Sequence, residues 1–177
     1  RFLFPALTMR LLAEEQRSGT IELLLAAPVR DSEVVLGKFL GCLGFLAVML
    51  GATLYYPLQL FVFGRPDVGP LVTGYLGMLL TASAFMSIGL LASAFTQNQI
   101  VAAVVSLMAL LLLWVLSAAS SFVGPEVGGL LQYLGLSGHI ESFQRGVIDL
   151  RDVVYLVSLI VACLFVSVRA LESRRWA

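Results

Sequence analysis

The chain has 177 residues, 59% of them hydrophobic and 12% charged, about half the charged share of an ordinary soluble domain. Mean hydropathy is +0.96 and formal net charge is zero, which points to an integral membrane protein and excludes electrostatic capture of nucleic acid. Cys42 and Cys163 each sit inside an apolar run and read as packing residues, so neither a disulfide framework nor a metal centre is expected.

The apolar stretch Phe2 to Met9 is too short to span a bilayer. It reads as the tail of an earlier membrane helix, so the N-terminus is expected to be a cut. A polar segment comes next, with Arg10, Glu14, Glu15, Arg17, Glu22, Arg30 and Asp31. An Arg or Asp at a helix centre in hydrocarbon costs roughly 2.5–3.5 kcal/mol, so this segment belongs in water. It reads as two short helices. Gly19 ends the first, because glycine takes the left-handed C′ conformation without a Cβ penalty. Thr20 caps the second, Glu22 lies in its first turn where the dipole favours it, and Pro28 stops it. Leu23, Leu24 and Leu25 suit docking in a groove or lying at a membrane surface. Asp31 and Ser32 are candidate caps for the first spanning helix.

Four spans are expected, at about residues 34–63, 71–95, 100–122 and 153–168. The first carries Lys38 near its end, with Gly37, Gly41 and Gly44 at spacings that let helix backbones approach in lipid. Pro57, beside Tyr55 and Tyr56, predicts a kink or an interfacial belt. Residues 64–70 read as a turn-rich loop. The second span repeats the small-residue pattern with Gly74, Gly77 and Gly89. Residues 124–152 break the pattern, mixing His139, Glu141, Arg145 and Asp149 with Phe143 and short apolar runs. Two short interfacial or re-entrant helices fit it better than a loop.

Basic residues set the orientation. With the polar segment in the cytoplasm, Arg10, Arg17, Arg30, Lys38, Arg169, Arg174 and Arg175 lie inside and Arg65, Arg145 and Arg151 outside. Four spans return the C-terminus to the cytoplasmic side. The expectation is an all-α, multi-pass protein of an inner (plasma) membrane.

Catalytic signatures are missing. The only lysine, Lys38, lacks the Walker A glycine at position 32 and the hydroxyl at 39, so no P-loop is formed. One histidine and two embedded cysteines do not make a zinc site. No serine sits in a Gly-x-Ser-x-Gly elbow. His139 with Glu141 suggests a base and its orienter, yet a lone loop histidine is more often a hydrogen-bonding residue. The second and third spans hold no ionisable Asp, Glu, Lys or Arg, which argues against a proton path.

The stretch Arg10-Leu11-Leu12-Ala13-Glu14-Glu15-Gln16-Arg17-Ser18-Gly19-Thr20-Ile21-Glu22-Leu23-Leu24-Leu25-Ala26-Ala27-Pro28-Val29, followed by Glu33-Val34-Val35-Leu36-Gly37-Lys38-Phe39, resembles the permease subunit of ABC-2 type exporters. Residues 139–149 and 169–176 are similar to the gliding-motility-associated branch of that family. The resemblance implies an ABC-2 exporter transmembrane domain, N-terminally truncated, with four spans equivalent to helices three to six of the family. It implies a coupling helix within the polar segment, gripped by a separate ATPase subunit that carries the ATP and magnesium, and no cofactor on this chain. A second permease, identical or paralogous, is implied as partner. Glu14, Glu15, Arg17 and Glu22 would then supply ion pairs, Leu23, Leu24 and Leu25 apolar docking, and Gly19 and Thr20 the bend. Two other readings remain: a membrane anchor or assembly subunit without transport, and an embedded enzyme using His139, Glu141 and Asp149. The enzyme requires those three side chains to converge around a cavity.

Overall fold

The computed structural model describes residues 31–64, 67–96, 98–120, 128–129, 133, 135, 139, 142–143 and 145–175. The polar segment, with Glu14 to Leu25, lies outside the described residues. Five helices are defined: α1 (Asp31–Thr53), α2 (Tyr55–Phe63), α3 (Val68–Phe95), α4 (Gln99–Ala119) and α5 (Leu150–Arg175), with no strand among the described residues. Four stretches, Ser32–Phe63, Val68–Phe95, Ile100–Ala119 and Leu150–Ser173, are long and apolar enough to cross a membrane. Hydrocarbon offers no hydrogen-bond partners, so apolar runs of this length satisfy their backbone internally as helix.

The break between α1 and α2 has a local cause. Pro57 has no N–H, and its ring crowds the carbonyl four residues back, at Thr53. The Leu54 N–H turns to the Gly51 carbonyl at 3.1 Å, and regular bonding resumes with Leu58 N–H to Leu54 O at 3.1 Å. The Thr53 hydroxyl donates to the Leu50 carbonyl at 2.6 Å.

Helix starts are fixed by polar caps rather than by where the apolar runs begin. Asp67 Oδ1 accepts the Gly69 N–H at 3.1 Å, so α3 starts at Val68 and takes Pro70 into its first turn, where a missing N–H costs nothing. Asn98 Oδ1 accepts from Ile100 N at 3.0 Å and starts α4. Asp149 Oδ1 accepts from Arg151 N at 3.0 Å and starts α5. This last helix extends beyond its apolar stretch at both ends. Arg169 stays in helix near its end, with Glu172 at 3.0 Å and the Phe165 ring centroid at 5.4 Å; charge ends a hydrophobic run without ending the backbone ladder.

The described residues divide into two compact units, one within residues 31–44, 82–109 and 157–175, the other within residues 45–81 and 110–156. In the first, Val35, Leu90 and Leu171 form the buried cluster, with Leu164 and Val168 against it. Ser87, Ser106 and Ser167 are fully buried there. Their hydroxyls donate to Ala84 O at 2.8 Å, Ala103 O at 2.9 Å and Cys163 O at 2.7 Å, which lets small polar residues sit between closely packed helices. α3 is the most enclosed span, with 61% of its most apolar window buried against 11% for that of α4.

Ala84 in α3 is fully buried and Leu112 in α4 is exposed. Ala84→Leu is expected to destabilise the purified protein by about 1–3 kcal/mol through overpacking, read as a lower thermal midpoint in detergent. Leu112→Ile is expected to change it by less than about 0.5 kcal/mol.

Candidate functional site

The second unit holds a polar cluster where the stretch between α4 and α5 meets the helices. Of the described residues in that stretch, 128–129, 133, 139 and 142–143 are helical. The final turn closes at Gly146, whose φ is +82°. Val147 N–H reaches Ser142 O at 3.2 Å and Gly146 N–H reaches Phe143 O at 3.3 Å, the paired bonds of a Schellman ending that favours glycine at this position. A Cβ there would also come within 3.0 Å of Pro70 Cγ at the start of α3.

Phe143 is buried and fills the space over Gly77 of α3. A Cβ built on Gly77 would fall 2.5 Å from Phe143 Cβ, so only glycine admits this ring. Gly135 lies against Ser117 near the end of α4. The segment is therefore anchored on α3 and α4, and its third anchor is on α5.

That anchor is His139. Its Nδ1 lies 2.6 Å from Asp152 Oδ1, and both side chains are 8% exposed. Its Nε2 lies 2.8 Å from the Tyr133 carbonyl oxygen. The imidazole stacks on Tyr155 with centroids 4.2 Å apart and planes at 17°, and Tyr133 meets both rings edge-on. Asp152 falls in the first turn of α5, where the helix dipole favours a negative charge. Its second oxygen, Oδ2, is buried with no hydrogen-bond partner among the described residues.

These positions separate the residues named from sequence. His139 and Phe143 are buried parts of the cluster. Asp149 instead caps α5 through Arg151 N. Arg145 is exposed, and its backbone N–H binds Ser142 O at 3.2 Å. Glu141 lies outside the described residues, as do the coupling residues. The partner of His139 is Asp152, thirteen residues on, and Tyr133 and Tyr155 complete the site; sequence reading assigned no role to these three. The available signal was an acid placed one turn into an otherwise apolar helix. Among the packing glycines, Gly77 makes a close approach. A Cβ at Gly37, Gly41, Gly44 or Gly74 meets nothing within 4 Å among the described residues, and Gly89 is buried in α3.

Chemically the cluster holds rather than reacts. A histidine base needs one nitrogen free for substrate, and here the carboxyl occupies one while the Tyr133 carbonyl occupies the other. No group of three His, Cys, Asp or Glu side chains suited to a metal occurs among the described residues.

Compared with known proteins, the chain matches the profile of the family described as ABC-2 family transporter protein over residues 5–171. No curated protein and no solved structure matches it.

Gly77→Ala is expected to destabilise the protein by about 1–3 kcal/mol through overpacking. Phe143→Ala keeps the offending Cβ and is expected not to relieve that loss, whereas Phe143→Gly is. Thermal unfolding of the single and double variants in detergent checks the pattern.

Proposed function

The chain belongs to the ABC-2 family of transporter proteins, and on that premise we propose that it is the permease subunit of an ATP-driven exporter, coupled to a separate ATPase subunit. The carrying observation is the family match over residues 5–171, together with four helices able to cross a bilayer. The chain is a multi-pass membrane component of the transporter class. ATP binding is assigned to the partner subunit, consistent with a sequence that lacks a P-loop lysine motif.

In this reading the membrane is the inner (plasma) membrane, and the polar segment and C-terminus face the cytoplasm, as the distribution of arginine favours. The ATPase closes on ATP and pulls on residues 14–25, where Glu14, Glu15, Arg17 and Glu22 pair with it and Leu23, Leu24 and Leu25 dock in its groove. A second permease, the same chain or a paralogue, completes the pathway, and the spans rock between inward- and outward-open states. The gliding-motility-associated branch is the subgroup proposed, on the similarity of residues 139–149 and 169–176. The embedded-enzyme reading loses ground because His139 and Asp149 turn to different partners.

The test uses the full-length protein expressed with its ATPase. Glu22→Lys reverses the charge at the proposed contact. It is expected to lower co-purification of the ATPase, or permease-stimulated ATP hydrolysis in vesicles, by about tenfold or more, since a broken interfacial charge pair costs about 2–5 kcal/mol. The thermal midpoint of the isolated permease should stay in place. Unchanged recovery and unchanged stimulation would overturn the coupling role.

A further inference from the structure

We infer that the His139–Asp152 contact is a proton site, and that its proton latches the segment between α4 and α5 onto the first turn of α5. The count of hydrogens at the contact requires it, whatever the chain transports. The Tyr133 carbonyl only accepts, so His139 Nε2, at 2.8 Å from it, carries a hydrogen. An ionised carboxylate also only accepts. One more proton must then lie between Nδ1 and Oδ1, on the imidazole or on the acid, to join them at 2.6 Å. Without it, two lone pairs face each other in a site where both side chains are 8% exposed.

Asp152 Oδ2 is buried and has no hydrogen-bond partner among the described residues. Among the described residues, the titratable groups in contact with the ring are Asp152 and Tyr155 from α5 and Tyr133 from the segment itself. Residues 68–81 of α3 and 110–119 of α4 contain no Asp, Glu, Lys or Arg. Arg145 and Arg151 flank the cluster in sequence and are exposed. An ionisable pair at the mouth of a membrane-capable helix is a functional feature by default, because burying it is costly.

The closed arrangement holds one proton more than an open one in which the imidazole is neutral and the carboxyl ionised. Closure is therefore favoured as pH falls and lost as pH rises, by up to about tenfold per pH unit for a one-proton step. The latch makes the hold on α5 responsive to the pH of the compartment facing the segment.

The test is hydrogen exchange, corrected for the chemical exchange rate, at the Gly146 and Val147 amides of the full chain in lipid nanodiscs. In the native protein their protection is expected to fall as pH rises. Asp152→Asn donates from its own amide to Nδ1 and needs no shared proton, so its protection is expected to stay flat. His139→Phe retains the stack on Tyr155 but holds no proton. Its protection is expected to be flat and lower than that of the native protein at the acidic end, where the native latch is closed. A native profile matching that of Asp152→Asn, or protection that rises with pH, would overturn the proposal. Exchange at Leu90 in the other unit reports whether a variant has folded.

Discussion

In hydrocarbon a peptide group finds hydrogen-bond partners only within the protein, and leaving one unsatisfied costs several kcal/mol. The visible departures from regular helix obey that constraint. At the break before Pro57, the Leu54 amide bonds the Gly51 carbonyl. Where serines enter the packed interior, their hydroxyls donate back to their own helix, as Ser87 does to Ala84. At the helix starts, Asp67, Asn98 and Asp149 supply the acceptors that exposed amides need.

The same constraint explains how the stretch between α4 and α5 stays attached. Its apolar runs are too short to span, so it cannot be held by the bilayer alone. It is held by fit and by paired polar groups. Phe143 seats on a bare glycine backbone in α3. Gly146 makes the turn that returns the chain to α5. His139 joins Asp152 and the Tyr133 carbonyl with both ring nitrogens committed. A histidine so used resembles a catalytic one in composition and differs from it in having no nitrogen left for substrate.

Family membership and geometry speak to different parts of the molecule. The family match spans nearly the whole chain and bears on transport as a class. The described geometry bears on the segment between α4 and α5. The proposed coupling surface lies in the polar segment near the start. Coupling and latch are separate devices that experiment can separate, since one is read by ATPase recovery and the other by amide exchange.

The sequence by itself determined that the protein is an all-α membrane protein, because long apolar runs with few charges have no other way to satisfy their backbone. It also marked Pro57, beside Tyr55 and Tyr56, as the place for a kink or an interfacial belt. Helix ends were less legible. Asp67 read as part of a turn-rich loop and Asp149 as part of the interfacial or re-entrant segment, and only the folded chain shows them capping α3 and α5. The pairing of His139 with Asp152 was decided by tertiary structure alone. Glu141 was the nearer acid in sequence, but contact across thirteen residues depends on how the intervening turn folds back onto α5, and no local periodicity encodes that. Gly77 shows the same division: it belonged to a stripe of small residues, and only packing singled it out, because Phe143 arrives there while a Cβ at Gly74 would meet nothing within 4 Å among the described residues.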